Sequence, residues 1–201
     1  MKTGFVVLLL LGACSRATGT PPPQPKAEQM SNPDVDLSWT MTKDASGKQL
    51  HIDYTLTNKT QETIYVADQL LAYHEGKIKL VPARVVVAAD SEPGVIRFVR
   101  AVVKTGTTQF DHPPGAAALS AGAVHKGSAD VELPLTGWHN YAPPPPLPAR
   151  PKSAVLEIAY LRGPVDWGQV RTSDGKEVTI PQLPSYNRAA KIARSTPKPL
   201  P

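Results

Sequence analysis

Apolar and polar residues alternate with a period of two along much of this chain. Val35, Leu37, Trp39 and Met41 interleave with Asp36, Ser38 and Thr40, which puts one apolar face on a strand. Asp44-Ala45-Ser46-Gly47 supplies a turn. Leu50, Ile52, Tyr54 and Leu56 then alternate with His51, Asp53, Thr55 and Thr57, the clearest strand of all. A polar loop, Asn58–Glu62, leads into Thr63–Ala67 with Ile64 and Val66 inward. Two such strands joined by a short polar loop predict an antiparallel hairpin. Short strands follow at 70–74 and 77–81, turned by Glu75-Gly76, with a short helix within 66–73 as the competitor. Arg84–Ala89, a turn at Ser91-Glu92-Pro93-Gly94 and the β-branched run Val95–Val103 predict two more strands.

Residues 104–127 are rich in Gly, Ala, Thr and Pro and read as a long connection, with one helical turn over Pro114–Leu119. Ser128–Leu133 is a strand ended by Pro134, and residues 136–152 are a second irregular segment. Ser153–Leu161 is almost continuously apolar, which predicts a central strand covered on both faces. Trp167–Arg171 and Lys176–Ile180 flank Ser173-Asp174-Gly175, a strong hairpin signal. After Pro184 the chain turns basic, with a short helix expected over Asn187–Arg194 in an otherwise solvated tail, 185–201.

Eight to ten short strands punctuated by Gly, Pro and Asn predict an all-β fold over 34–184, an antiparallel β-sandwich with long loop insertions. The Trp-bearing first strand, the long second strand ending Leu56-Thr57-Asn58-Lys59-Thr60, and the Gly127-Ser128 and Val131-Glu132-Leu133-Pro134-Leu135 phrases resemble immunoglobulin-like or fibronectin-type domains of bacterial envelope proteins. The usual module is nearer ~100 residues, so that resemblance implies insertions in the loops. Asn58-Lys59-Thr60 also matches a glycosylation sequon, and reads more simply as a turn.

The N-terminus changes the picture from fold to address. Lys2 is followed by the apolar run Phe5–Leu11 and the small residues Gly12 and Ala13. This is signal-peptide anatomy, too short to span a bilayer as a helix. Leu11-Gly12-Ala13-Cys14 resembles the lipobox of bacterial lipoproteins, and Cys14 is the only cysteine in the 201 residues. The resemblance implies removal of residues 1–13, lipidation of the Cys14 sulfur, and a lipid-anchored protein of the cell envelope. Two or three acyl chains at ~0.8 kcal/mol per buried CH₂ hold firmly where one would not. Ser15, where Asp favours inner-membrane retention, implies the outer membrane, facing the periplasm. Residues 14–33 then form the lipidated Cys and a Pro-rich tether.

Composition narrows the chemistry. The formal charge of +5 falls to +4 when Lys2 leaves with the signal peptide, and the charges are scattered, which argues against nucleic-acid binding. A lone cysteine leaves no disulfide framework and no cysteine-based zinc site. His51, His74, His112, His125 and His139 are widely spaced, so a metal site would need convergence from distant loops. No nucleophile elbow and no phosphate loop appears, and no cofactor or enzymatic activity is expected. Trp138, His139 and Tyr141, beside the polyproline run, are the candidate contact residues: they either dock a peptide or sugar, or pack their loop onto the sandwich.

The expectation is a non-enzymatic lipoprotein acting through protein–protein contacts, an accessory subunit of an envelope complex. The alternative is a binding module for cell-wall glycan or a small ligand using the 104–152 loops.

Overall fold

The computed structural model describes residues 32–74, 76–101, 113–137 and 146–201. The signal segment, Cys14, nearly all of the tether, His112, Trp138, His139 and Tyr141 lie outside the described residues.

Among the described residues the regular structure is strand apart from one short helix. In order they are β1 (Val35–Lys43), β2 (Gln49–Asn58), β3 (Ile64–Gln69), β4 (Leu71–His74), β5 (Lys77–Leu80), β6 (Val86–Ala89) and β7 (Val95–Arg100). After these come β8 (Gly115–Leu119), β9 (Val124–Glu132), β10 (Ser153–Leu161), β11 (Trp167–Arg171) and β12 (Glu177–Pro181). The helix α1 (Leu183–Ala189), β13 (Ala190–Arg194) and β14 (Lys198–Pro199) complete the described chain.

A small sheet has the order β1-β2-β9, and a larger one runs β6-β7-β10-β3-β8. The register explains how β10 serves as the axis of the larger sheet. Along one edge, Ser153–Ile158 pair in parallel with β7, and Tyr160 and Leu161 pair with β3. Along the other edge, Ser153 and Ala154 pair with β14, and Glu157–Leu161 pair with β13. The hairpins β4-β5 and β11-β12 stand apart as two-stranded pairs.

The two main sheets share one hydrophobic cluster. Trp39, Leu50, Ile52, Leu56 and Val131 of the small sheet meet Val66, Phe98, Leu156 and Ile158 of the larger. Trp39 and Phe98 pack edge to face, with ring centroids 6.3 Å apart. The opposite face of the larger sheet carries Ala67, Val99, Ala159 and Leu161 beneath Tyr186 and Ala189 of α1. Alternate residues of β10 therefore enter different clusters, which accounts for its unbroken apolar run. Each fully buried aliphatic or aromatic side chain contributes roughly 1.5–3 kcal/mol.

Four expectations are corrected. First, β2 and β3 do not form a hairpin: β2 pairs with β1 and β9, whereas β3 pairs with β8 and β10. The chain changes sheets at Asn58, whose buried amide donates to the carbonyls of Glu62 (2.8 Å), Leu119 (3.0 Å) and Ser120 (3.0 Å). Its Oδ1 accepts the Thr60 amide at 2.9 Å. The sequon asparagine is thus a buried corner post. Second, the larger sheet is mixed rather than antiparallel, because Ser153–Ile158 of β10 pair in parallel with β7; the strand read at 70–74 stands as β4. Third, 115–119 is strand β8 rather than a helical turn, its small residues lying along β3. At Gly115 a Cβ would press on Val178 of β12.

Fourth, residues 185–201 are not a solvated tail, and helix occupies only 183–189. Pro184 sits in the first turn of α1, where its fixed φ suits a helix. The chain turns extended at Ala190, and β13 and β14 are built into the larger sheet. Lys191 and Arg194 of β13 meet acids from distant parts of the chain, and Lys198 of β14 donates to the Trp39 carbonyl, matches that the local pattern does not reveal.

Candidate functional site

A cavity of about 460 Å³ opens where the described chain begins, between Asn32–Asp34 and the strands β7, β10 and β13. Its charged lining comes from two ion-pair groups. In the first, Asp34 Oδ2 accepts Lys191 Nζ at 2.7 Å, and Oδ1 accepts the Arg162 guanidinium. Arg162 continues to Glu62 at 3.0 Å. The buried Tyr160 hydroxyl lies 3.0 Å from Asp34 Oδ2 and 3.0 Å from Asn32 Oδ1.

The second group is set by sheet register. Glu157 stands opposite Arg194 on β13, and Arg97 sits diagonally from it across the parallel pair with β7. Glu157 accepts Arg194 at 2.6 Å on Oε1 and Arg97 at 3.2 Å on Oε2. Arg194 also reaches Asp90 at 2.7 Å.

These contacts shift the carboxyls of Asp34 and Asp90 in one direction. The Lys191 hydrogen bond holds the Asp34 carboxyl below its ordinary value, burial opposes this, and Tyr160 and Arg162 add to it. Burial pushes the Asp90 carboxyl up, but the Glu92 amide and Arg194 outweigh it and the net shift is down. Burial and the nearby Asp34 carboxylate push the Tyr160 phenol up to about 12.

A further buried polar group ties the two sheets together on the far side of the core. Asp68 of β3 accepts the Tyr54 hydroxyl and meets His125 Nε2 at 2.7 Å, both from the small sheet. Burial raises the Asp68 carboxyl, yet His125, Tyr54 and Arg100 together bring it below the ordinary range. Arg100 donates to the backbone carbonyls of Asp68 (2.6 Å), Pro82 (2.6 Å) and Ser128. Every partner is satisfied locally and the group is recessed, which gives it a cross-linking role between sheets.

The outer face of the small sheet is the remaining broad feature. Asp36, Thr40 and Thr42 of β1, His51 and Asp53 of β2, and Lys126, Ser128 and Asp130 of β9 are all exposed in strict alternation. His51 bridges Asp130 (2.7 Å) and Asp53 (3.2 Å). The Asp130 hydrogen bond raises the His51 imidazole above its ordinary value, against slight desolvation. With Glu132 included, this face carries four carboxylates against Lys126 and one histidine, on a chain whose formal charge is +5.

Of the contact residues expected from sequence, Trp138, His139 and Tyr141 lie outside the described residues, as does Cys14. Among the described residues, no group of three His, Cys, Asp or Glu side chains is arranged to hold a metal ion. The cavity residues Asp34, Arg97, Glu157 and Tyr160 were not candidates on sequence grounds, whereas Lys191 and Arg194 fall in the segment after Pro184 that the sequence marks as basic. One signal was present: Glu157 interrupts the apolar run Ser153–Leu161, and a charge on a strand buried on both faces requires a partner. The chain matches no protein-family model and no curated protein sequence.

Proposed function

We propose that this protein is a non-enzymatic lipoprotein of the bacterial envelope, anchored through Cys14 to the outer membrane. Its β-domain, read as an immunoglobulin-like sandwich, works through protein–protein contacts as an accessory subunit of an envelope complex. The observation that carries this reading is the open outer face of β1-β2-β9. It is exposed, three strands wide and acidic on a basic chain. A broad exposed sheet face suits a protein partner better than a small molecule, and its charge selects a basic surface on that partner. The Leu11-Gly12-Ala13-Cys14 motif supports the address.

Two measurements test the reading. Mass spectrometry of the mature chain should find a diacylglyceryl group on Cys14, lost in Cys14→Ser; an unmodified Cys14 overturns the anchor. Photo-crosslinkable residues at Asp53 and Lys126 should give one defined adduct in intact envelopes, and the same probe at Asp174 in the β11-β12 turn should not. Adducts of equal yield from all three positions, or from none, overturn the contact face.

A further inference from the structure

The geometry points to the cavity beside Asn32–Asp34 as a binding site for a phosphate group carried on a small carbon body. The argument begins with which partner of each ion pair meets solvent. The carboxylates are sunk: the side chains of Asp90, Asp34 and Glu157 are 2 %, 7 % and 10 % exposed. Their cations lie above them: Arg97, Arg194 and Lys191 are 33 %, 39 % and 48 % exposed. Asp34 and Glu157 form the buried floor of the lining, Asp90 lies outside it behind Arg194, and in each pair the cation is the more exposed partner.

The floor also fixes the donors. Glu157 holds two guanidinium groups and Asp34 holds the ammonium, so little side-chain freedom remains to be lost when a ligand arrives. A guanidinium carries five N–H donors and an ammonium three. The described bonds take two from Arg97, two from Arg194 and one from Lys191. Donors from three cations exceed what the two oxygens of a carboxylate accept and suit the oxygens of a phosphate.

Size and wall chemistry define the rest of the ligand. A volume of about 460 Å³ exceeds a bare phosphate and falls in the range of small-ligand sites. Pro33 and Ile192, the latter 42 % exposed, give the wall an apolar side for the attached carbon body. The charges of the two groups balance, so the fixed donors rather than a net field supply recognition. A phospholipid headgroup and a soluble phosphate ester share this chemistry. The inference does not depend on the lipid anchor or on the contact face.

Calorimetric titration of the full chain in non-ionic detergent tests it. The probes are sn-glycerol 3-phosphate, dihexanoyl phosphatidylglycerol and sodium acetate. Both phosphate probes should bind saturably at one site, and acetate at least tenfold more weakly. Arg97→Gln should weaken binding at least tenfold. Ile192→Trp, which fills the opening and leaves every ion pair in place, should do the same even if the Arg97 variant is unstable. Arg188→Gln, whose partner is the exposed Asp166, should stay within twofold. Tighter binding of the lipid identifies a headgroup as the source, and tighter binding of glycerol phosphate a soluble ester. No saturable binding of either phosphate probe, acetate binding as tightly, or unchanged affinity in Ile192→Trp overturns the site.

Discussion

Gly127 shows how one residue sets a local arrangement. It stands opposite Tyr54 in the register of β2 and β9, and a Cβ there would overlap the Tyr54 ring and hydroxyl. The missing side chain lets that ring lie across β9 and reach Asp68 on the other sheet. Gly127→Ala should therefore cost about 1–3 kcal/mol, the usual penalty of overpacking, read as a lower urea midpoint with an unchanged slope. An unchanged midpoint would show that the Tyr54–Asp68 link carries no stability. Tyr160 gives a residue-scale pH dependence. Its folded pKa of about 12 lies above the ordinary 10.0, so its stabilising contribution is complete below pH 10. That contribution is lost as pH rises through about 12. Phenolate absorbance should show a late tyrosine step that Tyr160→Phe removes, distinct from Tyr54, which burial pushes up still further, and the same variant should flatten stability across that window. Such residues explain the limits of reading the site from sequence. Asp34, Arg97, Glu157 and Lys191 are far apart in the chain, and each alone resembles an ordinary surface charge; only Glu157, inside an apolar strand, signals that a partner exists.

At the scale of elements, local pattern located most of the strands, β8 and β13 excepted, and long-range pairing assigned them. The period-two runs of β1, β2 and β3, the Asp174-Gly175 hairpin and the two-sided character of β10 were all legible. The sheet to which β2 and β3 belong was not, because a short polar loop serves a hairpin and a corner equally well, and the choice rests on Asn58 reaching Leu119 and Ser120. The strand β13 was hidden for another reason. Ala190–Arg194 has weak strand propensity, and its extended form is imposed by five register partners on β10. Ending the chain after Ala189 should therefore uncover one edge of β10, whose residues are buried on both faces. An unpaired apolar edge invites aggregation. The truncated chain should be insoluble or bind a hydrophobic dye, and a soluble, cooperatively unfolding product would show that β13 is dispensable.

At the scale of the whole molecule, two layers of sheet and a helical cover are organised around one strand. The small sheet leaves its outer face open, the larger sheet is covered on both sides, and the two are joined by an apolar cluster and by the Asp68 group. The acidic open face and the ion-paired cavity draw on different parts of the chain: Asp53 and Asp130 from the small sheet, Arg97 and Arg194 from the larger. A change on one is expected to leave the other intact, in keeping with the near-additivity of distant sites.

The flanking of β10 has a consequence for the order of events after synthesis. Its two neighbours on one edge come from segments made long before it, and those on the other edge from segments made after it. The axial strand is therefore incomplete until residues 190–199 are available. Until then the earlier portion of the chain lacks part of its own centre and stays free of a finished core. Assembly by such distant pairings is also slow. The topology works as a delay, letting the domain close only once its last strands have arrived.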